Sequence, residues 1–156
     1  MRDLLISMQA EHGGIYVSTP ASTSIAVAGT AVKAAGTTTL FGASANKWDM
    51  STNNRLRYIG TPTRSCAINA SVSLSLNTAV ADKLLSAQLF VDGVLVPGAI
   101  NTGFAGATTV KEVNINVNAI ISLATNSYVE VWVTNEDSTD NITMQKLTMT
   151  ATSMVA

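Results

Sequence analysis

CAINASVSLSL, residues 66–76, decides the fold class. Cys66, Ile68, Ala70, Val72, Leu74 and Leu76 alternate with Ala67, Asn69, Ser71, Ser73 and Ser75. Apolar residues at a period of two predict a long strand with one buried and one wet face, because successive side chains leave a strand on opposite sides. A helix would scatter the same residues around its circumference. VNINVNAIISL, residues 113–123, repeats the pattern, with Val113, Ile115 and Val117 set against Asn114, Asn116 and Asn118. In AQLFVDGVLVPGAI, residues 87–100, the pair Asp92-Gly93 favours positive φ and predicts a hairpin. Pro97 limits the second arm to a short or edge strand.

Further strands are expected in GIYVS (14–18), SIAVA (24–28), TTTLFGA (37–43), RLRYIG (55–60) and ITMQKLTMTAT (142–152). In the last of these Ile142 and Met144 share one parity while Leu147 and Met149 hold the other, which predicts a bulge near Gln145-Lys146. One helical turn is expected within VADKLLSAQL, residues 80–89. Short strands at regular turn spacing in 156 residues describe a single all-β domain, a sandwich or a barrel.

Composition narrows the company this domain keeps. Charged residues make up 12% of the chain, about half the usual share, and hydrophobic residues 47%. Ser, Thr and Asn must therefore supply the polar surface, which suits close contact with other protein. The net charge of −1 offers no electrostatic footprint for nucleic acid or an anionic membrane. Cys66 is the one cysteine, so no intrachain disulfide forms, in keeping with a reducing cytoplasm. LLISM near the start is too short for a signal peptide, and no stretch approaches the roughly 20 apolar residues of a membrane span.

The residues that carry chemistry are sparse. His12, beside Gly13-Gly14, is the sole histidine, has no neighbouring ligand for a metal, and is expected in a turn. It would also be the only imidazole for a hydrolytic triad, and no GxSxG motif is present. Cys66 shares the buried parity of its strand and reads as a small core residue. Glu136, Asp137 and Asp140 cluster in NEDSTDN, but their spacing matches no EF-hand loop. GTAVKAAG, residues 29–36, lacks the ending of a phosphate loop. No catalytic, cofactor-binding or metal-binding residue is assigned, and an enzyme is not expected.

SYVEVWVTN, residues 127–135, poses a different problem. Val129, Val131 and Val133 face one way; Tyr128, Glu130 and Trp132 face the other. A half-buried strand has one wet face, so something must cover two large aromatics. Either a loop of the same chain lies over them, or another copy of the chain does. The second alternative makes Tyr58 and Phe90 further contact candidates and allows Arg55 or Arg57 to pair with Glu130 between subunits.

GGIYV, AGTAVKAAGTTT, RLRYIGTPTR, LFVDGVLVPGA and NSYVEVWVTN, in that order over about residues 13–156, resemble the small jelly-roll proteins of tailed-bacteriophage virions, themselves similar in fold to tumour-necrosis-factor-like domains. Asp92-Gly93 and Asn126-Ser127 stand where family members commonly carry Asn-Gly and Gly-Asp. The resemblance implies an antiparallel two-sheet jelly-roll sandwich assembled as a homotrimer, with Tyr128, Glu130 and Trp132 at the trimer interface; Tyr58 and Arg57 join them as contact candidates on the reading of their own strand. It implies a cement or decoration protein on the virion, made in the host cytoplasm, that bridges subunits of the major capsid protein. A head fibre or tail appendage binding a host receptor or glycan is the alternative. Residues 1–12 fall outside the likeness. With Arg2, Leu4, Leu5, Ile6 and Met8 they are expected to form either a capsid-contacting arm or the first strand.

Overall fold

The strand expected at residues 66–76 runs from Arg64 to Leu76 in a computed structural model, which describes residues 11–42, 45–78, 81–106 and 112–154. In chain order the strands are β1 (His12–Pro20), β2 (Ser22–Thr23), β3 (Val32–Lys33), β4 (Gly36–Leu40), β5 (Trp48–Asp49), β6 (Leu56–Tyr58), β7 (Arg64–Leu76), β8 (Lys83–Val91), β9 (Val94–Ala105), β10 (Glu112–Leu123), β11 (Tyr128–Asn135) and β12 (Ile142–Ser153). They form two antiparallel sheets. The first has the order β10-β7-β12-β1-β4 with β2 on β12; the second has β5-β6-β11-β8-β9 with β3 on β11. The fold class is the two-sheet jelly roll that the periodicity and the resemblance imply.

Between the sheets lies the core. Cys66, Ile68, Ala70, Val72 and Leu74 of β7 enter it from one side, and Leu85, Ala87 and Leu89 of β8 with Val129, Val131 and Val133 of β11 from the other. Each fully buried aliphatic side chain there contributes about 1.5–3 kcal/mol relative to exposure.

Local punctuation follows the chemistry of the sequence. Val91 pairs with Val94 across Asp92 (φ 51°) and Gly93 (φ 79°), the two-residue turn that matches strand twist. β9 occupies a sheet edge, where the missing N–H of Pro97 is tolerated. In β12 the register slips between Met144 and Lys146, and the extra residue Gln145 bonds the Ser75 hydroxyl at 2.8 Å. That is the expected bulge.

Three expectations need correction. SIAVA does not form a strand: beyond β2 the chain turns, with the Ile25 N–H on the Asn141 side-chain oxygen (3.2 Å) and the Gly29 N–H on the Asn135 carbonyl (2.9 Å). Ile25 still reaches the core, but as a loop plug. No helical turn forms in the described part of residues 80–89 either; from Lys83 that stretch is β8, because Leu85, Ala87 and Leu89 alternate inward. His12, expected in a turn, opens β1 with its backbone bonded to Asn46. The arm candidates Arg2, Leu4, Leu5, Ile6 and Met8 lie outside the described residues.

β1 has no room for a side chain at Gly14. A Cβ there would stand 2.7 Å from the Met149 carbonyl oxygen and 2.6 Å from the Phe41 ring. Backbone of a central strand cannot yield without losing pairs, so Gly14→Ala is expected to cost about 1–3 kcal/mol. A urea midpoint unchanged from wild type would contradict that tight packing.

Candidate interaction surfaces

The outer face of β11 is partly covered by its own chain, with Glu130 buried and Tyr128 and Trp132 half-buried. The Trp132 ring stacks on Phe90 of β8, with centroids 4.2 Å apart and planes within 11°. Phe90 pairs in register with Glu130, so it reaches Trp132 as a diagonal neighbour. The Arg55 guanidinium lies 3.7 Å from the centre of the Tyr128 ring, a cation–π contact.

Glu130 lies between these two stacks and is only 2% exposed. Its Oε1 accepts from Lys33 Nζ at 2.7 Å and from Nη2 and Nε of Arg55 at 2.9 and 3.0 Å. Its Oε2 accepts the indole N–H of Trp132 at 3.1 Å. Burial pushes this carboxyl up, but hydrogen bonds from Lys33, Trp132 and Arg55 and the Lys33 charge outweigh burial and hold it below its ordinary 4.5. β3, the start of β6, and β11 are thereby tied through one carboxylate.

This geometry revises the residues assigned to a subunit contact. Glu130 pairs with Arg55 of the same chain, so no neighbour's arginine is needed. Arg57 makes a two-point bond to Asp49 of β5, at 2.8 and 2.6 Å, and that bond and charge raise its pKa further. Tyr58 is fully buried and cannot reach a neighbour. Its ring packs 5.2 Å from Trp48, and its hydroxyl donates to Glu11 at 2.6 Å with Pro62 O at 3.0 Å. Burial and the Glu11 carboxylate push that phenol up to about 12. Strand parity could have located it: Leu56 and Tyr58 share the inward side of β6 and Arg57 the outward. Tyr128 and Trp132 do stand on an outer face. Lys33 carries no signal in the sequence, since it meets Glu130 only through the β3–β11 pairing.

The outer face of the first sheet is different in kind. Across β10, β7 and β12 the register sets Asn116, Ser71 and Thr148 in one row and Asn118, Asn69 and Thr150 in the next. These six line a shallow trough of about 280 Å³. Ile120, Ala67 and Thr152 form a third row, with Ile120 68% exposed, and Tyr16 of β1 stands beside Thr148. No charged side chain stands in these three rows. Lys146 and Glu112 sit toward the other end of the face, where Glu112 accepts the Ser73 hydroxyl.

The order of the strands and the packing of the two sheets are shared with solved structures. The Eiger TNF structure from S. frugiperda superposes with a TM-score of 0.59 at 9% identity, over 94% of this chain and 93% of that one. Murine APRIL, at pH 8.5, gives 0.52 at 6% identity, over 92% and 99%. The fold is tumour-necrosis-factor-like. At such identities the likeness concerns the arrangement of strands alone. No family model and no curated protein matches the chain in sequence.

Elsewhere, polar groups of this tumour-necrosis-factor-like domain serve its own backbone. Asp137 accepts the Leu84 N–H at 2.7 Å, and Asp140 accepts hydroxyls from Ser138 (2.7 Å) and Thr78 (3.1 Å). The acidic loop is therefore stapled by its own carboxylates, and among the described residues no His/Cys/Asp/Glu group is placed to hold a metal. Cys66 is fully buried, and burial with the nearby Glu11 charge pushes its thiol up to about 11. The native protein is expected to leave Cys66 unmodified by a thiol reagent at pH 8, with stoichiometric labelling after denaturation. Rapid labelling of the folded chain would mean that β7 opens.

Proposed function

We propose that this chain is a non-catalytic structural protein of a tailed-phage virion, a homotrimeric capsid cement or decoration protein that stabilises the shell by bridging subunits of the major capsid protein. The observation that carries this reading is the block of three uncharged rows on the outer face of the first sheet. Interface cores are depleted in charge, because burying an unpaired ion costs far more than burying a hydroxyl or amide that finds a partner. Asn69, Ser71, Asn116, Asn118, Thr148 and Thr150 are short side chains that let another backbone approach. Ile120 and Tyr16, 68% and 38% exposed, supply apolar anchors at the margins. We therefore assign self-association to this face instead of to Tyr128 and Trp132, which their own chain partly covers. The function would be mechanical: linked contacts to neighbouring capsid subunits add avidity without tight individual sites.

The test is the native mass of the purified chain, then its copy number in particles by calibrated gel densitometry. A mass near three times 16.2 kDa and hundreds of copies in fixed ratio to the capsid protein are expected. A handful of copies would instead favour a head fibre or tail appendage contacting a host receptor. Absence from particles would overturn the virion assignment.

A further inference from the structure

Around Glu130, on the outer face of the second sheet, cations outnumber carboxylates by one. Charged residues are only 12% of the sequence, yet Lys33, Arg55, Arg57, Asp49 and Glu130 share this face. Asp49 is occupied by the two-point bond from Arg57. Glu130 serves both Lys33 and Arg55, so one positive charge is left over within this five-residue cluster, while Asp92, bonded to the Tyr128 N–H, and Glu136, bonded through its N–H to Leu84, stand at its margins. The side chains of Lys33, Arg55 and Arg57 are 32%, 28% and 34% exposed, which leaves donors facing solvent. An ammonium has three N–H bonds, and Glu130 is the one partner described for that of Lys33.

Apolar surface borders the charge. Through the β8–β9 register, Ile100 lies opposite Gln88 and Phe104 opposite Leu84, on the same face as Trp132. They are 44% and 63% exposed.

We propose that this face docks an acidic polypeptide surface, with a partner carboxylate seated between Lys33 and Arg55 and apolar side chains against Ile100 and Phe104. Complementary charge favours an acidic partner and speeds encounter. A polypeptide fits better than a carboxylated sugar because one face of each ring, Trp132 and Tyr128, is already engaged by Phe90 and Arg55, which leaves less aromatic surface for a sugar ring to stack on. The apolar border is also what a protein partner would cover. Under the reading above, the partner is the capsid protein; only that identity rests on that reading, and the chemistry of the face does not.

The experiment compares binding of the intact chain to immobilised poly-L-glutamate, poly-L-glutamine and polygalacturonate over a salt series. Wild type is expected on polyglutamate alone, weakening as salt rises. Lys33→Gln should bind about threefold to fivefold more weakly and Lys33→Arg should restore binding. Arg55 still neutralises Glu130 in the Gln variant, and a thermal melt verifies its fold. Equal binding of wild type and Lys33→Gln, or no preference for polyglutamate over polyglutamine, would overturn the proposal. Stronger binding to polygalacturonate would overturn it in favour of an acidic glycan. Native mass is read on the same samples. A monomer that still selects polyglutamate would sink the trimer while leaving this proposal standing.

Discussion

Glu130→Gln is expected to destabilise the folded chain by about 2–3 kcal/mol. Breaking a buried ion pair by removing one partner costs about 3–5 kcal/mol, and the figure is lowered here because Lys33 and Arg55 are each about 30% exposed and can recruit water. What remains after the substitution is two cations sharing one neutral amide, with β3 and the start of β6 no longer drawn to β11. The sign of the pH dependence follows from the lowered carboxyl. A carboxyl whose pKa is lower folded than unfolded contributes stability above its unfolded value, near 4.5, and loses it as pH falls through the folded value. The gap between wild type and variant in urea denaturation should therefore be full at pH 7 and close steadily below about pH 4.5. A gap that stays constant into acid would show that Glu130 acts through shape and not through charge.

The second large effect concerns assembly. Ser71 sits in the middle of a row between Asn116 and Thr148, exposed in the single chain. Ser71→Arg puts a bulky cation into two rows that otherwise present hydroxyls and amides. Exposed substitutions of this kind usually change the stability of one subunit by less than about 0.5 kcal/mol. Burying the uncompensated charge between subunits costs several kcal/mol, enough to shift association by a hundredfold or more. Sedimentation of the variant should give 16.2 kDa where wild type gives three times that mass. Ser71→Ala should remain assembled. If Ser71→Arg assembles as wild type does, this sheet face is not the contact.

The parts of the fold that could be read from the sequence are those set by near neighbours in the chain. β7 and β10 announce themselves by period-two alternation, the hairpin by Asp92-Gly93, and the bulge at Gln145 by a change of parity. Residues 24–28 misled because SIAVA has strand composition, whereas the Ile25 N–H goes to the Asn141 side chain, more than a hundred residues away, and the Val27 carbonyl accepts the Thr30 N–H of a local turn. β8 misled because LLSAQL carries apolar residues at both two- and three-residue spacing, and only packing against β11 selects the first. The same limit applies to the surfaces. The outward parity of Tyr128, Glu130 and Trp132 was legible, but their covering by Arg55, Lys33 and Phe90 depends on pairings that no local pattern encodes. Tyr58 is the instructive case: its inward parity was readable, yet aromatic character suggested a contact with another chain.

One feature of the topology bears on how the molecule is made. β12, last of the strands in chain order, lies in the middle of its sheet between β7 and β1. While it is missing, β7 and β1 each offer an open row of backbone donors and acceptors, and the valines and leucines facing them have no roof. A ribosome emitting this chain from the N-terminus thus releases the eleven described strands β1–β11 before the sandwich can close. Closure waits for Ile142–Ser153 to slide into a slot whose β1 side was made over a hundred positions earlier, a slow step by the rule that long loops delay pairing. Crowding several nascent chains on one message would set their open edges side by side during that wait, the interval in which aggregation competes with folding.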